Sequence, residues 1–121
     1  MEKSLRLRKN SDYQQVFKKG RSHWNKHFTI VMRKNEETGP RIGFTITKKY
    51  GNAVQRNRKR RQLKEIVRNN QQALISGYDL VIIPKKNTLT MNYHELEDSL
   101  TQLFAFISKK TPRPKGKRQR K

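Results

Sequence analysis

The chain has no cysteine, which removes disulfides, thiolate nucleophiles and zinc-ribbon sites together. Acids are nearly as scarce: 9 Asp and Glu stand against 30 Lys and Arg in 121 residues, a formal net charge of +21. Glu2, Asp12, Glu36, Glu37, Glu65 and Asp79 are scattered, and only Glu95, Glu97 and Asp98 cluster. The converging carboxylates of a two-metal nuclease are therefore missing. The cluster is accounted for by the positive N-terminus of its own helix, so no metal site and no self-sufficient catalyst are expected. No apolar run approaches the ~18 residues of a membrane span. No apolar stretch follows the basic start MEKSLRLRKN, so no secretory signal is read. Hydrophobic residues make up only 31% and aromatics 8%, enough for one modest core. The expectation is a cytoplasmic protein whose partner is a polyanion, nucleic acid before an anionic membrane.

The patterning gives an α+β order. Asn10 or Ser11 can cap a first short helix, Asp12 suits its positive end and Gly20 can close it. Arg21 to Trp24 suggests a short edge strand, and His27 to Arg33 alternates with Phe28, Ile30 and Met32 on one side. Arg41 to Lys48 alternates again, with Ile42, Phe44 and Ile46 opposite Gly43, Thr45 and Thr47. These two strands read as an antiparallel pair with one apolar face and one face left for a ligand. A long helix is expected from about Ala53 to Leu74, its stripe formed by Leu63, Ile66, Val67, Asn70 and Leu74. Tyr78 to Ile83 reads as a central strand, parallel to Arg41–Lys48 if the two are neighbours. Asn92 and Glu95 form a capping box before a helix bearing Leu96, Leu100, Leu103, Phe104 and Ile107. Residues 1–108 thus form one domain, a single sheet covered by helices in the order αβββαβα. Residues 109–121, KKTPRPKGKRQRK, read as a basic disordered tail.

The strongest functional feature is RNRKRRQLKEIVR, Arg56 to Arg68, with one acid among seven basic residues. At about 100° per residue, Asn57, Arg60, Arg61, Lys64 and Arg68 share a stripe beside the apolar one. A solvated helix face would mix signs, because like charges four apart repel. A polyanion relieves that repulsion, and guanidinium groups suit phosphates and base faces. The run does not separate RNA from DNA. Tyr13 and Phe17, with the spare sheet positions Thr29, Val31 and Thr45, could stack unpaired bases. Packing as core is the alternative, and spacing alone favours it for Tyr13 and Phe17. The tail is open between a solubilising segment and an RNA-docking arm. His23, His27 and His94 have no partner implied by sequence.

Lys48 to Lys64, KKYGNAVQRNRKRRQLK, resembles the protein subunit of bacterial ribonuclease P, which carries Lys-Lys-x-Gly-Asn-Ala-Val-x-Arg-Asn-Arg before a basic helix. The likeness extends to LRLRKNSDYQQVFKKG, RIGFTITKK, YDLVII and the Leu-rich last helix, most of residues 3–107. The resemblance implies a βαβ crossover of the uncommon left hand, against the usual rule. It also implies an auxiliary subunit of an RNA-based endoribonuclease that removes the 5′ leader of precursor tRNA. In such an enzyme the RNA and its Mg²⁺ ions perform the hydrolysis and the protein contributes no catalytic residue. Its partners are the catalytic RNA and precursor tRNA, with no membrane and no obligate protein partner. By position, Arg56, Asn57, Arg58, Arg60, Arg61 and Lys64 would face the catalytic RNA, with Lys48, Lys49 and Arg68 beside them. Lys64 stands where the family commonly has Arg. Tyr13 and Phe17 match aromatic positions of the family's leader cleft, which favours stacking over core. Val31 stands where relatives often carry an aromatic residue. The alternatives are a ribosomal or nucleoid-type binding protein, and a small metal-independent ribonuclease using His23 or His27.

Overall fold

The computed structural model describes residues 7, 10–35, 40–75 and 77–110. Its elements run α1 (Asn10–Lys19), β1 (Arg21–Trp24), β2 (Phe28–Lys34), β3 (Arg41–Phe44), α2 (Ala53–Asn69), β4 (Tyr78–Pro84) and α3 (Tyr93–Lys110). Single 3₁₀ turns at Lys48–Tyr50, Gln71–Ala73 and Lys86–Thr90 join them. This is the expected α+β order. Two ends differ: the helix read to Leu74 stops at Asn69, and the last helix continues through Lys110. Residues 111–121, and with them most of the expected tail, lie outside the described residues.

The sheet order is β1-β2-β4-β3. β1 pairs β2 and β2 pairs β4 antiparallel, while β3 pairs β4 in parallel. β1 is the edge strand its sequence suggested. The antiparallel pairing of the second and third strands is corrected: β4 lies between them, and each bonds to β4 instead. The reason is burial. Leu80, Val81 and Ile82 are fully buried, and a strand apolar on both faces belongs in the middle of a sheet.

Strand parity sorts the core into two layers. Phe28, Ile30, Met32, Ile42, Leu80 and Ile82 pack against Leu63, Ile66 and Val67 of α2 and Leu96, Leu100, Leu103, Phe104 and Ile107 of α3. Truncating a fully buried Leu or Ile here to Ala is expected to cost about 2–5 kcal/mol. The smaller layer joins Leu7, Val16, Val31 and Val81 on the other face, beneath α1. Gly20 allows the tight passage from α1 into β1. Its N–H donates to the Val16 carbonyl at 2.7 Å, and a Cβ there would collide with the Val16 carbonyl and fall 2.7 Å from that of Met32.

Candidate nucleic-acid interface

α2 begins with a reciprocal cap. The Asn52 side chain accepts from the Gln55 N–H at 2.8 Å, and the Gln55 side chain accepts from the Asn52 N–H at 2.9 Å. The Asn-x-x-Gln spacing was the available signal for it. Arg56 turns back to donate to the Gly51 carbonyl at 2.7 Å and is half-buried. Asn57, Arg58 and Arg61 are exposed, with Arg60 and Lys64 half-buried on the flanks. Arg60 donates to the Asn57 side chain at 3.0 Å. Among the described residues no acid lies within ion-pair distance of Arg58, Arg60, Arg61 or Lys64. Arg68 differs: its guanidinium bonds Glu65 at 2.7 and 3.3 Å. That bond is the largest influence holding the Glu65 carboxyl below the usual carboxylate range.

Lys59 sits in the same basic run but faces inward. It is 3% exposed, and its ammonium donates to the Met91 carbonyl at 3.3 Å. Burial, then the neighbouring Arg58, lowers its pKa. Its phase was the signal: Lys59 precedes Leu63 by four and Ile66 by seven, which places it on the core side. Lys48 and Lys49 are exposed on the turn before α2. Tyr50 anchors that turn, its buried hydroxyl 2.8 Å from Thr88 Oγ1. Because Thr88 donates its own hydroxyl hydrogen to the Lys85 carbonyl at 2.7 Å, Tyr50 is the donor of the pair.

The second surface is the face of the sheet that carries α1. Cross-strand register sets its rows. Ser22, Val31, Val81 and Gly43 form one row, and Trp24, Thr29 and Ile83 form the next. Thr45 extends the second row, since its N–H continues the parallel ladder to the Ile82 carbonyl at 3.1 Å. α1 lies across the first row. Val16 seats on Val31 and Val81, and the Tyr13 ring covers Gly43 so closely that a Cβ there would lie 2.7 Å from ring carbons. Asp12 leaves one flank of α1 to meet Arg41 at 3.6 Å. Phe17, roughly 140° further round the helix, lies on the flank towards the second row and is 46% exposed.

Of the five expected cleft residues, Phe17 is therefore exposed beside the open row. Thr29 and Thr45 form half-buried floor within that row. Tyr13 is half-buried as a wall, its hydroxyl donating to the Leu7 carbonyl at 3.4 Å. Val31 is 6% exposed; it supports α1 from below and presents no stacking surface. Sequence reasoning missed Trp24 and Ile83. Trp24 is 64% exposed at the sheet edge, directly across from Thr29. A four-residue strand is too short for alternation to give its facing, so the sequence shows the tryptophan but not its exposure.

The two surfaces meet at one end of the sheet. β3 runs towards the open row and leaves it through Thr45, the Lys48–Tyr50 turn and the start of α2. At the opposite end Asp79, 2% exposed, is held by Arg41 through two 2.9 Å bonds and by Asn35 at 2.7 Å. The histidines do not converge. His27 Nδ1 lies 2.9 Å from Ser99 Oγ, closing the β1–β2 turn onto α3, while His23 faces a separate groove beside Lys110. Among the described residues no group of three His, Asp or Glu is placed to hold a metal ion, and no helix is long and apolar enough to cross a membrane.

A family model described as Ribonuclease P matches residues 1–108. The chain is 49% identical over 110 residues to the ribonuclease P protein component of Finegoldia magna, covering 91% of this chain and 96% of that one. It is 44% identical over 96 residues to that of Syntrophus aciditrophicus, covering 79% and 81%. Among solved structures, the RNase P protein from Thermotoga maritima superposes with a TM-score of 0.77 at 32% identity, over 82% of this chain and 94% of that one. The Staphylococcus aureus RNase P protein gives 0.78 at 30%, over 87% and 96%.

Proposed function

The chain belongs to the ribonuclease P protein family, the auxiliary protein component of a tRNA-processing ribonucleoprotein endonuclease, and on that premise we propose a division of labour between its two surfaces. The exposed face of α2, with Asn57, Arg58, Arg60, Arg61 and Lys64 and the adjoining Lys48 and Lys49, binds phosphates of the catalytic RNA. Arg56 holds the entry to α2 against Gly51, and Arg68 joins the contact when Glu65 yields it. The cleft between α1 and the open sheet row holds the single-stranded 5′ leader of precursor tRNA. Phe17 and Trp24 offer faces for bases, with Tyr13, Thr29, Ile83 and Thr45 as wall and floor.

Hydrolysis belongs to the RNA, whose Mg²⁺ ions would stabilise the developing charge; this chain contributes affinity and position, and works in the cytoplasm. Only the precursor carries a leader, so a leader contact favours substrate over product and broadens the range of precursors accepted. The observation that carries this reading is the placement on α2 of cations that have no acidic partner among the described residues, at the same end of the sheet as the uncovered row beside Phe17 and Trp24.

The test is single-turnover cleavage of a precursor tRNA at low Mg²⁺ by the protein alone, a bacterial ribonuclease P RNA alone, and both together. Efficient cutting at the mature 5′ end by the mixture only is the expected result. A mixture no better than the RNA alone refutes the proposal and favours a general RNA-binding role. Cleavage by the protein alone in EDTA would instead identify a metal-independent ribonuclease.

A further inference from the structure

We propose that the groove where the end of α3 meets the β1 edge is a second RNA-phosphate site, distinct from α2 and from the cleft. It has a volume of about 380 Å³, within the ~300–1,000 Å³ of ordinary ligand sites. Five cations line it: Lys19 from the end of α1, Arg21 from β1, Arg33 and Lys34 from the end of β2, and Lys110 from the end of α3. They come from four elements spread over ninety positions of sequence, so the fold assembles the cluster and no local run announces it. Among the described residues no carboxylate lines the groove. Asp79, next to Tyr78 on β4, points to the opposite face and is engaged by Arg41 and Asn35. The terminal carbonyls of α3 contribute only about half a negative charge, far less than five cations.

His23 reports the field inside the groove. Its pKa is lowered by burial, then by Lys110 and Arg21. Met32 and Tyr78 add an apolar floor on which a ribose can rest. The groove opens on the α3 face, because Arg21 and His23 pair with Met32 and Ile30. It lies at the Lys34 end of β2, roughly 17 Å along the strand from Thr29 at ~3.3 Å per residue. A leader seated in the cleft is on the other face and at the other end. The occupant is therefore the phosphate backbone of another RNA stretch, in the catalytic RNA or in the body of the tRNA. This inference rests on the reading that the protein works on RNA.

The test combines Lys19→Gln, Arg21→Gln, Lys34→Gln and Lys110→Gln in the full-length protein, all four positions being exposed. Affinity for ribonuclease P RNA, precursor tRNA and mature tRNA is measured across a salt series, beside an α2 variant carrying Arg58→Gln, Arg60→Gln and Arg61→Gln. The groove variant should lose more than about tenfold affinity for one of these RNAs at 0.15 M salt and flatten its log–log salt slope by about 3. Loss on ribonuclease P RNA assigns the occupant to it, and equal loss on precursor and mature tRNA assigns it to the tRNA body. Loss confined to the precursor overturns the inference, because the groove would then belong to the leader path. Unchanged slopes on all three RNAs, with the α2 variant still impaired, overturn the groove alone; an unimpaired α2 variant removes the functional reading as well. A local readout excludes a mere loss of total charge: in the wild-type protein a short RNA hairpin should raise the His23 imidazole pKa followed by NMR. An unmoved His23 titration refutes the site.

Discussion

Glu65 is the only acid on the basic face of α2, and removing it is the sharpest perturbation of that face. Its carboxylate bonds the Arg68 guanidinium at 2.7 and 3.3 Å and accepts from the Asn69 side chain at 3.4 Å. Glu65→Gln deletes one negative charge and releases Arg68, while the exposed pair it breaks contributes little to folding. If the face lies on RNA, one further cation becomes available to phosphate. Each such contact steepens the log–log salt slope by about 0.7–0.9 and, at 0.15 M salt, multiplies affinity by about fourfold. The opposite change, Arg58→Gln with Arg60→Gln and Arg61→Gln, removes three cations that have no acidic partner among the described residues. It should flatten the slope by about 2–3 and weaken binding by about 100-fold. The assay is filter binding or fluorescence anisotropy with ribonuclease P RNA over a salt series. An unchanged slope in the triple variant refutes the assignment of α2. A normal triple-variant effect with no gain from Glu65→Gln confines the contact to the first turns of the helix. The pH dependence has a definite sign: hydrogen bonding keeps Glu65 ionised, so wild-type protein gains this contact only once pH falls below the usual carboxylate range.

Phe17→Ala and Trp24→Ala should each weaken precursor binding by about 1–3 kcal/mol and leave mature tRNA binding unchanged; equal losses for both RNAs would make these residues structural. Asp79→Ala leaves Arg41 without its two-point partner, and urea denaturation should show a loss of about 3 kcal/mol, the low end for a broken buried pair because Arg41 is partly exposed. A loss below about 1 kcal/mol would refute that role. Lys59→Met replaces a buried ammonium with an apolar chain of similar length, so Tm should rise, by about 1 kcal/mol of stability; a fall would show that the bond to Met91 outweighs desolvation. Because the folded pKa of Lys59 is lowered, the unfolded chain binds more protons between that value and the ordinary lysine range. Wild-type stability should gain an increment as pH rises through this window, and Lys59→Met should abolish it.

Periodicity revealed which face each element buries, and much less about which element covers it. Leu63, Ile66 and Val67 were readable as one helix stripe, and Asn92 with Glu95 as a cap, because both patterns are local. The caps are present at 2.9 Å in both directions. Alternation in Phe28–Met32 and Ile42–Phe44 gave the correct apolar face for each strand. It could not name the neighbour, because every strand of a sheet has the same period. The helix between β3 and β4 was the one topological clue, since a crossover favours parallel pairing, and that pairing is present. Val31 illustrates the same limit: parity placed it on the face opposite Ile30, but the position of α1 across that face is a tertiary fact. Arg56 to Arg68 was legible as a charge run, whereas the inward turn of Lys59 and the pairing of Arg68 needed the helix phase and the side-chain geometry.

The charge asymmetry of the molecule is made by the placement of its few acids. Asp12 and Asp79 both serve Arg41 at the end of the sheet away from α2. Glu95 caps α3, and Glu97 accepts from Asn70 beyond the end of α2. Glu65 lies four residues before the end of α2 and reaches only Arg68 and Asn69. Each of these carboxylates answers a local need of the fold: a half-buried guanidinium, an uncapped helix, an interhelical contact or an exposed pair within α2. None answers the first turns of α2, where Arg58, Arg60, Arg61 and Lys64 repel one another on a helix that Asn52 and Gln55 cap without an acid. An acidic residue in that first turn would ease the repulsion and suit the helix dipole, and there is none. Among the described residues, the free protein therefore leaves repulsion unrelieved where β3 delivers the chain from the open sheet row into α2. A polyanion lowers the energy at that corner, so binding there is favoured by what the fold leaves unneutralised as well as by the contacts it makes.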